Sequence, residues 1–103
     1  MQPAEQSRRI TAILPPDVDV AALVQVLDKR YPDAFVYRYQ GRGVGRTTRR
    51  TGHHALIPER RQILCVVVAG GQAEQIFDWL LTEANVLRPG GGLVFVEPVG
   101  ELP

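Results

Sequence analysis

A run of six apolar residues, Ile-Leu-Cys-Val-Val-Val at positions 63–68, constrains the fold of this chain more than any other feature. Four of the six are β-branched and the run has the length of a typical strand, so it predicts a β-strand over residues 62–68. Because side chains alternate along a strand, residues 63, 65 and 67 lie on one face and residues 64, 66 and 68 on the other. A strand that is apolar on both faces requires a sheet that is covered on both sides.

Five further elements are predicted around this strand. Apolar and β-branched segments bounded by proline or glycine predict strands at residues 9–14, 34–40 and 93–96. Apolar residues recur at helical spacing from Val20 to Tyr31, after two aspartates, Asp17 and Asp19, of which either can cap a helix. A second helix is predicted at residues 72–84, after a turn at Gly70 and Gly71.

The element order βαββαβ predicts a single domain over residues 1–103. Two right-handed βαβ units of this size form an antiparallel four-stranded sheet with both helices on one face, which is the ferredoxin-like arrangement of the α+β class. The two helices then leave the other face of the sheet uncovered. We expect further copies of the chain to cover that face in a closed homo-oligomer.

The second unusual feature is a long basic segment at residues 41–61, which separates the second and third predicted strands. It holds six of the eleven arginines, both histidines and a single acid, Glu59. Its formal charge of +5 leaves −4 for the remainder of a chain whose net charge is +1. This distribution favours a local anion site over a protein that binds nucleic acid across its surface. With few apolar anchors, residues 44–60 are expected to be mobile without a ligand.

The remaining composition excludes several classes of protein. The single cysteine, Cys65, cannot form an internal disulfide and is expected to be buried in the apolar strand. The polar residues 1–9 do not resemble a secretion signal, and no apolar run approaches the roughly 18 residues that a membrane span requires. We therefore expect a cytoplasmic protein.

Two glycine clusters are candidates for phosphate contact. Gly41, Gly43 and Gly45 open the basic segment, and Gly90-Gly91-Gly92 precedes the last strand. Neither cluster fits the P-loop or the dinucleotide-binding pattern, and either one alone is compatible with an ordinary turn. The adjacent His53 and His54 lack further ligands at metal-site spacing, so solvated histidines are favoured over a metal site. No catalytic motif is present, and we expect a protein that is not an enzyme.

Taken together, these segments resemble the PII signal-transduction family over nearly the whole chain. RRITAILPP is similar to the family's first strand, YQGRGVG to the base of its long T-loop, and RRQILCVVV to the strand that leaves this loop. LRPGGGLVFVEPV is similar to its B-loop and last strand and is the most specific match. The resemblance implies a homotrimer with three clefts between subunits, each of which binds an adenine nucleotide. It also implies that the T-loop, about residues 41–61, reports the ligand to a protein partner.

The resemblance assigns nucleotide-binding roles by position. Gly41, Arg42 and Gly43 would form the T-loop side of the cleft, and Arg61 would stand where the family has a phosphate-binding lysine. The opposite wall would be Gly90, Gly91 and Gly92 with Arg88 beside them. The adenine pocket would be lined by Ile13 and Val67.

The sequence also departs from the family pattern. Leu93 stands where the family has a phosphate-contacting lysine. The family's glutamine that helps to bind 2-oxoglutarate and magnesium has no counterpart near Val44. The family's C-terminal arginines have no counterpart in the residues up to Pro103. Residues 41–61 contain no tyrosine, which excludes uridylylation. The segment is most similar to the carboxysome-associated PII-like proteins, which are linked to adenine nucleotides and bicarbonate. This branch implies bicarbonate as a candidate second ligand and a transporter or carboxysome-related protein as the partner. The missing contacts to the outer phosphates predict that AMP or ADP binds at least as tightly as ATP, without a cofactor or metal.

Two other functions remain open on the same fold. An RNA-binding module would need aromatic residues on the third strand, where ILCVVV has none, so no nucleic-acid partner is expected. A metal-binding trimer is the other alternative, and His53 and His54 are the only residues that favour it.

Overall fold

The computed structural model describes residues 6–43 and 59–99, and it confirms the predicted order of elements. The strands are β1 (Ser7–Leu14), β2 (Phe35–Gly43), β3 (Glu59–Ala69) and β4 (Leu93–Pro98), and the helices are α1 (Val20–Arg30) and α2 (Gly70–Glu83). All pairs of neighbouring strands are antiparallel, in the order β2-β3-β1-β4. The predicted ferredoxin-like fold, with a four-stranded antiparallel sheet and two helices, is thus confirmed.

The strands β2 and β3 extend further than the sequence predicted, which corrects the boundaries of the basic loop. Gly41 pairs with Arg61, Arg42 with Arg60 and Gly43 with Glu59, so both ends of the predicted loop are part of the sheet. Polar and charged side chains obscured this because a two-stranded ribbon that projects from a sheet has no apolar face. Residues 44–58, with His53, His54 and all but the last two residues of the predicted mobile segment, lie outside the described residues.

The helix boundaries follow from local chemistry. Asp19 caps α1 by accepting a hydrogen bond from the Ala22 amide at 3.1 Å, which decides between the two candidate caps. The predicted turn at Gly70 and Gly71 is wrong, because these residues form the first turn of α2, directly after the last residue of β3. Among the described residues, no helix combines the length and the apolar character that crossing a membrane requires.

The hydrophobic core lies between the helices and one face of the sheet. It contains the even-numbered residues of the apolar run, together with the inward faces of β1 and of both helices, as the periodicity predicted. The largest fully buried side chains are Ile10, Leu14, Leu27, Leu64, Ile76, Leu80, Val20 and Val66. This core accounts for one of the two apolar faces of β3.

The other sheet face is not covered by any described element. Four large apolar side chains on this face are between 37% and 66% exposed: Phe35, Tyr39, Leu93 and Phe95. The rings of Phe35, Tyr37 and Tyr39 form a row along β2, with centroid separations of 5.5 and 6.4 Å. Soluble monomers rarely expose a continuous apolar surface of this kind, so the face has the character of an interface.

Candidate functional site

One end of the sheet gathers most of the residues that the sequence assigned to a ligand. The carboxyl ends of β1 and β2 and the amino ends of β3 and β4 meet there, because neighbouring strands are antiparallel. Ile13 pairs with Ile63 on one side and with Leu93 on the other, and Gly41 pairs with Arg61 on the next ladder. Gly41 and Gly43 therefore lie at the same end of the sheet as the glycine turn at residues 90–92, although about fifty residues of sequence separate them.

The glycine turn that precedes β4 is built on positive φ angles and close backbone contact. Gly90 has a φ of 72° and Gly92 a φ of 105°, both in the region that favours glycine. A Cβ atom on Gly92 would lie 2.1 Å from the carbonyl oxygen of Ile13, so only glycine allows β4 to begin against β1. A Cβ atom on Gly91 would meet the carbonyl oxygens of Val86 and Asn85 at 2.4 and 2.7 Å. All three positions thus keep the backbone of this turn compact.

Arg88 lies beside the glycine turn and is held by an ion pair. Its Nη2 donates to Oδ1 of Asp17 at 2.7 Å, and its carbonyl oxygen accepts a hydrogen bond from the Gly91 amide at 2.9 Å. The ion pair raises the pKa of Arg88 and lowers the pKa of Asp17. The Arg88 Nε–H is buried and has no acceptor among the described residues.

A cavity of about 360 Å³ lies next to this ion pair, between the loop after β1 and the end of α2. Its lining includes three carboxylates, from Asp17, Asp19 and Glu83, and only one cation, Arg88. This balance of charge makes the cavity itself unfavourable for a phosphate. An anion at the glycine turn is therefore expected to lie outside this cavity.

Arg61 and Arg42, the two cations assigned to the other wall, lie on opposite faces of the β2–β3 ribbon. Arg61 shares a face with Gly41 and Ile63, on the uncovered side, because paired residues face the same way. Its Nη2 donates to Oε2 of Glu59 at 2.8 Å, and its Nη1 donates to the Arg60 carbonyl oxygen at 2.9 Å. Arg61 is thus already paired with a carboxylate that any ligand anion must replace.

Arg42 instead lies directly opposite Arg60 on the helix side of the ribbon. With Gln40 and Gly41, these two arginines line a cavity of about 240 Å³. Like charges directly opposite each other on neighbouring strands repel, so this pair favours a nearby anion. The structure therefore separates two arginines that the sequence had placed at one ligand.

Val67 lies far along the uncovered face from the other predicted residues. It pairs with Arg9 and Phe35, four positions from Ile63, which is roughly 13 Å along a strand. Within one chain the structure does not bring Val67 and Ile13 together, although both lie on the uncovered face. Only a cleft between chains would bring these two side chains to one ligand.

The polar groups of the uncovered face are paired with each other. Arg9 donates from Nε and Nη2 to Oε1 of Glu97 at 2.9 and 2.7 Å, which raises the pKa of Arg9. A hydrogen bond with Cys65, together with burial, raises the pKa of Tyr37. Cys65 is 2% exposed, as predicted, and its Sγ lies 3.9 Å from Oγ1 of Thr11. Because these groups satisfy each other, the face can be buried against another subunit without an unpaired charge.

Three residues of the site region were missed at the level of sequence. Gln62 donates from Nε2 to the carbonyl oxygens of Pro15 and Val18, at 2.9 and 2.8 Å. Asp17 was considered only as a helix cap, and Glu59 only as the single acid of a basic segment. The sole signal for Gln62 was a polar residue at the start of an apolar strand, which does not predict a partner distant in sequence. Within residues 6–43 and 59–99, no three His, Cys, Asp or Glu side chains gather as a metal site would require.

The fold was compared with solved structures. PII from Arabidopsis thaliana, solved with citrate bound, superimposes with a TM-score of 0.66 at 21% identity, over 92% of this chain and 78% of that one. The ATP complex of GlnK from B. subtilis superimposes with a TM-score of 0.59 at 19% identity, over 91% and 84% of the two chains.

The chain has the fold of the PII proteins. No protein-family model matches the sequence, and no curated protein matches it. The likeness at this level of identity concerns the fold of the backbone alone. The roles of individual side chains depend on the geometry described above.

Proposed function

We propose that this chain is a PII-like regulatory protein that binds an adenine nucleotide and acts through binding rather than catalysis. The observation that carries the proposal is the position of two groups of glycines at the same end of the sheet, at its two edge strands β2 and β4, beside a wide uncovered apolar face. This arrangement fits a ligand held between the loop base of one subunit and the glycine turn of another. The GlnK structure with the same fold was solved with ATP, and the PII structure with citrate, which supports an anionic ligand.

In this proposal the assembly is a homotrimer with the uncovered sheet faces turned inward. One wall of each cleft is the end of the β2–β3 ribbon, where Gly41, Gly43 and Arg61 lie on the uncovered side and Arg42 borders the ligand from the opposite face. The other wall is formed by Gly90, Gly91 and Gly92 with Arg88 beside them. The adenine ring lies between Ile13 of one subunit and Val67 of the next, which accounts for their separation within one chain. The segment at residues 41–61 reports the ligand to a protein partner.

The ligand that we propose is AMP or ADP, bound without magnesium, with bicarbonate as the candidate second anion. Leu93 is 54% exposed at the mouth of the glycine turn, where an apolar side chain offers no charge to an outer phosphate. Each charge-assisted hydrogen bond contributes roughly 1.5–3 kcal/mol, so a missing cation disfavours a triphosphate. The resemblance of the basic segment to the carboxysome-associated branch is the reason to propose a role in inorganic-carbon metabolism in the cytoplasm.

A thermal-shift screen of the wild-type protein tests the proposal. AMP, ADP and ATP are added separately, each with and without bicarbonate, and guanosine and cytidine nucleotides serve as controls. A rise in melting temperature with adenine nucleotides alone supports the proposal, because a ligand that binds the folded state stabilises it. An equal response to every nucleotide, or to none, contradicts it.

A further inference from the structure

Three contacts connect the start of β3 to the glycine turn within a single chain. Gln62 on β3 donates to the carbonyl oxygens of Pro15 and Val18, which stand on either side of Asp17. The carboxylate of Asp17 then holds Arg88, 71 residues further along the chain. We propose that Gln62 and Asp17 are positioning residues for the glycine turn, which fix it through Arg88 in the geometry that the nucleotide requires. This inference rests on the proposed function, since it concerns the same site.

Hydrogen bonds hold the loop between β1 and α1 in place. Pro15 and Pro16 have no amide hydrogen, so the loop has few donors of its own. The two hydrogen bonds from Gln62, at 2.9 and 2.8 Å, satisfy one carbonyl at each end of it. The Val18 amide also donates to the Pro15 carbonyl at 3.3 Å, which closes the loop on itself. The backbone that carries Asp17 is therefore held in place, although the Asp17 side chain is 62% exposed.

Both the side chain and the backbone of Arg88 contact the glycine turn. A Cβ atom on Gly91 would lie 2.8 Å from Cγ of Arg88, so the arginine's aliphatic stem lies directly against the turn. The Arg88 carbonyl accepts the Gly91 amide at 2.9 Å, and the Arg88 amide reaches the Asn85 carbonyl at 3.4 Å. Fixing the guanidinium to Asp17 therefore limits how far this stem and the adjoining backbone move.

Arg88 faces the acidic cavity beside Asp17. Its Nη2 is turned to Asp17, in a cavity that two further carboxylates line, from Asp19 and Glu83. This environment repels a phosphate and attracts the guanidinium. Arg88 accordingly serves the site by holding the glycine turn. Because the Gly91 amide already donates to the Arg88 carbonyl oxygen, the backbone amides of Gly90 and Gly92 are the groups of the turn that meet the ligand.

A double-mutant cycle separates this role from a direct contact with the ligand. Asp17→Asn removes the carboxylate charge, and Arg88→Met removes the guanidinium while an unbranched stem still packs on Gly91. If the ion pair acts as one unit, each single variant weakens ADP binding by roughly tenfold, about 1.4 kcal/mol, and the double variant is no weaker than either. Gln62→Met, which cannot donate, is expected to weaken ADP binding to a similar extent.

Asp28→Asn is the matched control, because it removes a carboxylate from the exposed side of α1, outside the lining of the cavity beside Arg88. Isothermal titration with ADP should give the same affinity for this variant as for the wild type. If Arg88→Met binds ADP far more weakly than Asp17→Asn does, and the losses of affinity add in the double variant, Arg88 contacts the ligand itself. That result overturns the inference. An ADP affinity that is unchanged in Asp17→Asn, Arg88→Met and Gln62→Met overturns the inference as well.

The same cycle measured by thermal unfolding without ligand keeps the two proposals distinguishable. Coupling between Asp17→Asn and Arg88→Met in melting temperature supports the physical link even if no nucleotide binds. Additive melting shifts, together with normal ADP binding by the wild type, would leave the proposed function intact and reject the link.

Discussion

At the scale of single residues, the site depends on what glycine permits. Gly90 and Gly92 both have positive φ angles, but their surroundings differ. A Cβ atom on Gly90 would meet nothing within 4 Å, whereas on Gly92 it would meet the Ile13 carbonyl. The turn before β4 is therefore constrained by conformation at the first position and by packing against β1 at the last.

This difference gives a matched pair of substitutions. Gly90→Ala should lower the free energy of unfolding by about 1 kcal/mol, the cost of a left-handed conformation for a residue with a Cβ. Gly92→Ala should lower it by more than about 2 kcal/mol, because the Cβ also collides with backbone. Chemical denaturation of both variants measures the two values, and equal costs would contradict the packing described for Gly92.

The ion pair between Asp17 and Arg88 makes a further prediction about pH. Because Arg88 lowers the pKa of Asp17 below its ordinary value of 3.8, the pair stabilises the folded state above that pH. This stabilisation is lost as the pH falls through the lowered pKa. Melting temperatures of the wild type and Asp17→Asn should therefore differ near neutral pH and converge well below pH 3.8. A difference that persists in strong acid would show that the substitution acts through something other than the carboxylate charge.

At the scale of elements, the spacing of apolar residues predicted the helices and strands well. The charged ends of β2 and β3 were not predicted as parts of these strands. The helices and the apolar parts of the strands were predictable because one face of each packs on the core. The extensions to Gly43 and from Glu59 were not, because backbone hydrogen bonds alone define the ribbon there. Both glycine clusters were identified in the sequence, but the opposite faces of Arg42 and Arg61 depend on a register that composition does not reveal.

The cap of α1 tests whether local chemistry sets an element boundary. Asp19→Ala removes the hydrogen bond to the Ala22 amide and should lower the free energy of unfolding by about 1 kcal/mol. Asp19→Asn should retain most of the stability, since asparagine caps equally well. Urea denaturation compares the two variants, and an alanine variant as stable as the wild type would assign the boundary to tertiary packing instead.

At the scale of the whole molecule, the unexplained feature is the face of the sheet that the helices leave open. Its apolar side chains are exposed while its polar groups are paired with each other, as in a surface made for burial. Val66 and Val67 are neighbours on β3, but they lie on opposite faces of the sheet. The core holds Val66, which is 0% exposed, and the uncovered face holds Val67.

These two valines separate folding from assembly. Val66→Asp should prevent folding, because a charge would enter the core without a partner. Val67→Asp should leave a folded protein that no longer forms trimers. Light scattering at micromolar concentration reports the mass, with Gln75→Asp on the exposed side of α2 as control. A wild type that is monomeric under these conditions would contradict the proposed assembly.

The central claim is that the two glycine walls form a nucleotide site with a missing contact for the outermost phosphate. Isothermal titration of the wild type with AMP, ADP and ATP, each with and without magnesium and bicarbonate, tests it most directly. We predict that AMP or ADP binds at least as tightly as ATP and that magnesium is not required. ATP binding that is at least tenfold tighter than ADP binding and depends on magnesium, or no binding of any adenine nucleotide, would contradict the claim.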